Sequence, residues 1–181
     1  PEDDEFVPEL NTLVNAMIVI EGKEPFFCER ARQLLSCLIG HVCSPKEREL
    51  GHNNLPFVRE LLSLDNDTFI KMLVDIQKNS PVPLARTFYF SKTNSSIRST
   101  AISQLAFLEV PGIIHFLSGN DFDFSDLRKE PMTVYCMLPP DKLDTYFRFA
   151  RLIVQCFFNK MTAPPAATDR PVLALLDEQA K

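Results

Sequence analysis

The run Pro171-Val172-Leu173-Ala174-Leu175-Leu176 ends in Asp177-Glu178, and an apolar strand that delivers two adjacent carboxylates has a specific chemical use. A buried strand carries its acids to the C-terminal edge of a sheet, where open α/β folds bind their ligands. There the first acid can hold the shell of a magnesium ion, and the second can orient or deprotonate an attacking water. The bland alternative is a strand that simply ends in solvated acids.

Two other groups of side chains invite chemistry. Cys37 and His41 stand four apart on an expected helix, with Cys43 just beyond. No C-x-x-C pair completes a tetrahedral zinc site, and thiols on an apolar helix are usually inert, so a metal or nucleophile there is the weaker expectation. The five cysteines, Cys28, Cys37, Cys43, Cys136 and Cys156, are odd in number and lie mostly among apolar residues. They read as reduced thiols rather than a disulfide framework. The second group is cationic. Residues 76–108 hold Lys78, Arg86, Lys92 and Arg98 and no acid, a local charge of +4 in a chain of net charge −5. This is either an ordinary polar surface with scattered cations or a face that meets an acidic partner or a nucleic-acid backbone.

Composition narrows the classes. Of 181 residues 45% are apolar and 24% charged, the balance of a folded globular chain. No run of eighteen apolar residues and no signal peptide is present, so no membrane span is expected. Five glycines stand against fourteen prolines, and no G-x-x-x-x-G-K-[ST] or G-x-G-x-x-G can be written from Gly22, Gly40, Gly51, Gly112 and Gly119. A complete nucleotide site of those kinds is therefore excluded from these residues. The first residue is Pro1 rather than Met, which reads as a processed or excised piece.

The elements that must position these groups follow from periodicity. Phe6, Leu10, Leu13, Val14, Met17 and Ile18 mark one helical face. Glu24-Pro25 opens a second helix with Phe27, Ala31, Leu34, Leu35, Leu38, Ile39 and Val42 inward. Residues 44–54 are charged and read as an exposed loop. Residues 55–64 form a short helix, and Asp65 and Asp67 sit where the next helix, carrying Phe69, Met72, Leu73 and Ile76, needs a cap. Leu84, Phe88 and Phe90 follow two prolines as a helix turn or an extended piece. Residues 92–96 supply caps for a helix lined by Ile97, Ala101, Leu105 and Leu108, and 111–117 make another short helix. After Asn120 the character changes. Residues 132–138 read as a buried strand. From Pro140 or Asp141 a long helix carries Leu143, Phe147, Ala150, Ile153, Val154, Phe157 and Phe158. Residues 161–170 form a loop, and 171–176 read as a second strand, apolar on both faces as in a parallel sheet. The expected fold is mainly α: an all-α, bundle-like domain over 1–121, then a right-handed β-α-β piece over 122–181.

The segments Phe122-Asp123-Phe124-Ser125-Asp126-Leu127, Thr133-Val134-Tyr135-Cys136-Met137-Leu138-Pro139-Pro140 and Arg170-Pro171-Val172-Leu173-Ala174-Leu175-Leu176-Asp177-Glu178 resemble the TraG/TraD-type coupling proteins of bacterial type IV secretion and conjugation. Upstream, Pro25-Phe26-Phe27 with Ala31-Arg32-Gln33-Leu34-Leu35, and Arg98-Ser99-Thr100-Ala101-Ile102-Ser103, resemble two further helix starts of that family in the same order. The resemblance covers nearly the whole chain. It implies a membrane-anchored, hexameric ATPase at the cytoplasmic face of the bacterial inner membrane, fed by relaxosome or effector and adaptor proteins and possibly by DNA. It also implies a P-loop NTPase (RecA-like) sheet interrupted by an all-α domain for partner recognition, with 122–181 the return into that sheet. Asp177 and Glu178 match the Walker B acids, with ATP and Mg2+ expected for the longer parent and no cofactor for these residues alone. Gln179 stands where the family often has an aromatic. The P-loop is absent here, so the piece itself should not hydrolyse ATP, and Lys78, Arg86, Lys92 and Arg98 are its expected docking cations. A free-standing helical adaptor without nucleotide chemistry is the competing expectation.

Overall fold

Caps and prolines divide the chain into eight α-helices among the described residues, which are 6–20, 25–86, 88, 94–119, 121–164, 166 and 169–176 of a computed structural model. The helices are α1 Phe6–Met17, α2 Pro25–Val42, α3 Pro45–Glu49, α4 Leu55–Leu61, α5 Asn66–Asn79, α6 Asn94–Gln104, α7 Pro111–Ser118 and α8 Leu143–Thr162. Asp65 caps α5 by accepting from the Asp67 and Thr68 amides at 3.1 and 3.0 Å. Asn54 caps α4 by accepting from the Phe57 amide at 2.9 Å. Such caps satisfy amides that have no partner inside the helix. Of the caps expected from 92–96, Lys92 and Thr93 lie outside the described residues, and Ser95 and Ser96 stand exposed within α6, which begins at Asn94.

The core forms around α2. Leu34, Leu35 and Leu38 are wholly buried there, and α1, α4, α6 and the 3-10 turn Pro83–Arg86 pack on it. Ile97, Ala101 and Leu105 of the α6 segment complete this center with no exposure at all, and Leu108, expected on the same helix, is buried in the 3-10 turn Ala106–Glu109.

Residues 44–54, expected as an exposed loop, contain α3, and Glu47 is buried at 7% exposure. Pro45 starts that helix, and its pitch turns one carboxylate of a charged run inward.

The long helix is where expected, but its buried face is different. Phe149 and Leu152 are buried, while Phe158 is 40% exposed. Phe149 meets Phe116 edge-on at 5.5 Å, and α8 packs along α1. Apolar residues surround much of this helix, so periodicity alone left its face open and α1 selects it. Gln104 Oε1 pins the junction, accepting from Val19 N at 3.2 Å and from Arg148 Nε at 3.0 Å.

The chain is mainly helical, and no strand forms among the described residues. Residues 132–138 and 171–176 lie outside any helix and pair with no strand among the described residues, and Tyr135, Met137, Leu173 and Leu175 are 80–87% exposed. The expected β-α-β piece is therefore not shown among the described residues. A strand is stable only when neighbours take its backbone groups and cover its faces, and these residues supply no such neighbours.

Candidate functional site

Asp177 and Glu178 lie outside the described residues, which end at Leu176. What the structure shows is how the segment leading to them is held. Phe122 and Phe124 stack edge-on at 5.3 Å, and Phe124 meets Phe157 of α8 at 5.8 Å. A capping box closes the 3-10 turn Phe124–Arg128: Ser125 N donates to Asp123 at 2.7 Å and Asp123 N to Asp126 at 3.1 Å. The bonds from Ser125 hold the Asp123 carboxyl below its ordinary range.

That turn aims Arg128 at the end of α8. Its Nε lies 3.0 Å from Asp169 Oδ2, and its Nη1 donates to the carbonyl oxygens of Ala163 at 3.0 Å and Lys160 at 3.4 Å. The Arg128 carbonyl in turn accepts from Arg170 N at 2.8 Å. Both side chains of the ion pair are largely covered, at 13% and 16% exposure. Arg128, Asp169, Arg170, Pro171 and Val172 also line a cleft of about 420 Å³ with Phe157 and Met161 of α8. Sequence reasoning used residues 122–127 for a resemblance and passed over Arg128. The available signal was an arginine closing the turn and an Asp-Arg-Pro step before the second apolar run.

The four expected docking cations are not equivalent. Lys78, in the last turn of α5, and Arg86, ending the Pro83–Arg86 turn, are exposed. Lys92 lies outside the described residues. Arg98 is half-buried: its Nε donates to Leu62 O at 2.8 Å, its Nη2 donates to Leu64 O, and its guanidinium sits 4.2 Å from the centre of the Phe69 ring. Desolvation lowers its pKa, opposed by Asp65. Its observed contacts make Arg98 a brace between α4, α5 and α6.

Cys37, His41 and Cys43 likewise serve packing. The Cys37 thiol donates to Ala85 O at 2.9 Å, and burial pushes its pKa up to about 12. Burial also raises Cys43 and lowers His41. Among the described residues no group of three or more His, Cys, Asp or Glu side chains is arranged to hold a metal ion. No described helix is long and apolar enough to cross a membrane.

The family model for type IV secretory system conjugative DNA transfer matches residues 2–181, and the chain belongs to that family. It is 30% identical over 159 residues to the type IV secretion system-coupling protein VirD4 of Bartonella quintana, covering 84% of this chain and 25% of that protein. Its identity to VirD4 of Bartonella henselae is 29%, with the same coverages. The conjugal transfer protein TraG of Agrobacterium fabrum is 24% identical over 166 residues, 88% of this chain and 25% of the relative. The chain thus spans about a quarter of the length of the curated relatives it matches. No solved structure matches it.

Proposed function

We propose that these residues are the helical recognition part and the adjoining sheet segments of an ATP-driven coupling protein for type IV secretion and conjugation. The observation that carries this is the pair of exposed apolar segments, 132–138 and 171–176, flanking α8. Apolar, exposed and outside any helix, they are suited to a parallel sheet supplied by a longer chain. Leu143, Phe147, Ala150, Val154 and Phe157 of α8 are only partly covered and Phe158 is exposed, so the helix keeps a second apolar side for such a sheet.

The second segment runs directly into Asp177-Glu178. Their hard carboxylate oxygens suit Mg2+. Asp177 would hold the ion's shell, and Glu178 would orient the attacking water and take its proton. Bound Mg2+ with ATP supplies charge neutralisation on the transferring phosphoryl group. Lys78, Arg86 and Lys92 are the docking cations of the helical part, which would receive relaxosome, effector or adaptor proteins, or DNA, on the cytoplasmic side of the inner membrane. The parent would be a membrane-anchored hexamer.

The test is Glu178→Gln in the full-length protein. ATP binding should persist while hydrolysis and conjugative transfer are lost. Hydrolysis at the wild-type rate would sink the assignment of the two acids. For the cations, replacing Lys78, Arg86 and Lys92 with Ala should weaken partner or DNA binding and flatten its salt dependence, and unchanged binding would count against that face.

A further inference from the structure

We propose that Arg128 is a positioning residue for the nucleotide chemistry assigned above to Asp177 and Glu178, an inference that rests on that assignment. Arg128 joins three pieces of chain at one point. Its side chain takes the Asp169 carboxylate and the Ala163 and Lys160 carbonyls, and its own carbonyl takes the Arg170 amide. Lys160 stands in the last turn of α8 and Ala163 is its C-cap, a helix end where carbonyls lack intrahelical amides and a cation is favoured. Asp169 is fixed a second time, because its Oδ2 accepts from Ala166 N at 2.9 Å.

The consequence is control of register. The Arg170 amide is already occupied by Arg128, and Pro171 has no amide to give, so strand pairing through backbone donors can begin only at Val172. In a strand each residue advances about 3.3 Å and alternates faces. A slip by one residue would therefore move Asp177 by about that distance and send it to the other side of the sheet. Misplacement by about 1 Å can cost a reaction on the order of a hundredfold. Anchoring the residues before Pro171 to the end of α8 would set where the proposed strand begins, and through it the register of the two acids.

The experiment compares Arg128→Gln, Arg128→Lys, Asp169→Asn and the Arg128→Gln/Asp169→Asn double variant with Glu178→Gln, all in the full-length protein. Arg128→Gln and Asp169→Asn should each lower kcat for ATP hydrolysis by about tenfold or more, with KM for ATP changed by less than about twofold. The double variant should be no worse than either single one, because both break the same contact. Arg128→Lys should recover part of the rate, since a lysine keeps the charge but not the planar fork. Should Arg128→Gln not fold, Asp169→Asn, which changes one atom, carries the same test. Loss of hydrolysis in Glu178→Gln with wild-type kcat in Arg128→Gln and Asp169→Asn overturns the positioning role alone. Retained hydrolysis in Glu178→Gln overturns the underlying assignment instead. A fall in ATP-analogue affinity matching the fall in kcat would mark a general structural lesion and overturn the inference.

Discussion

The Arg98 guanidinium lies over the Phe69 ring, 4.2 Å from its centre, while reaching past it to the carbonyl oxygens of Leu62 and Leu64. One side chain of α6 thereby closes the end of α4 and covers an aromatic of α5. Arg98→Ala should lower the unfolding free energy by roughly 2–3 kcal/mol, from two charge-assisted hydrogen bonds and a cation–π contact. Arg98→Lys should restore less than half of that, because an ammonium cannot span both carbonyls in one plane. Urea denaturation measures both, and an unchanged midpoint for Arg98→Ala would remove the bracing role.

That brace also marks where sequence reasoning ran out. Leu34, Leu35 and Leu38 and the Asp65 cap were legible because their signals are local, a helical period and a cap three residues before the amide it serves. Arg98 read as a docking cation because nothing in its neighbourhood of sequence announces that the carbonyls of 62 and 64 lie beside it. Arg128 carries no local signal of its contacts for the same reason: its side-chain partners are 32 to 41 residues downstream. Residues 44–54 read as an exposed loop because all but one residue of Pro45–Glu49 are charged, and only the helix pitch selects Glu47 to turn in. The two apolar runs were legible as strand-like, but a strand's burial depends on neighbours that no period encodes.

Acid should weaken the fold through His41. Its Nδ1 is buried without a hydrogen-bond partner, and Nε2 lies 3.9 Å from Glu47 Oε1. Desolvation holds its pKa below the ordinary imidazole value, outweighing Glu47 and Asp75, which favour the cation, and aided by Lys46. A depressed folded pKa means the unfolded chain binds the proton more readily. The contribution is therefore present above the unfolded value of about 6.5 and is lost as pH falls through the lower folded value. Thermal unfolding followed from pH 7.5 to pH 5 should show a fall that His41→Gln reduces. An identical slope in the variant would exclude His41 as its source.

Thiol labelling should separate the cysteines and, with them, the states of the sheet segment. Cys28 and Cys37 are buried, Cys37 with its pKa near 12, whereas Cys136 is exposed. Only the thiolate attacks an electrophile. A maleimide at neutral pH should therefore modify Cys136 well before Cys37 in the 181-residue chain. In the full-length protein Cys136 should be protected, because 132–138 would be covered by neighbouring strands. Equal labelling in both would speak against the proposed sheet.

One substitution should stabilise. Gly40 lies buried in α2, where an added Cβ would stand 3.6 Å from the Ala85 Cβ and the Val82 Cγ1, an ordinary contact distance. Gly40→Ala removes a helix-interior glycine and should raise stability by about 0.5–1 kcal/mol. A lowered melting temperature would mean that the α2 contact with the Pro83–Arg86 turn cannot take a methyl group.

The packing of α8 along α1 has a bearing on where the helical part can be cut for exchange between relatives. Its anchor residues Phe149 and Leu152 belong to the same buried cluster as Leu10, Val14 and Met17 of α1. A graft of residues 1–121 into a relative would therefore leave out Phe149 and Leu152 and ask a foreign helix to cover the α1 side of that interior. The transferable unit is the helical part together with the inward face of α8, and chimaeras cut at Thr162 rather than at Asp121 would keep that surface matched.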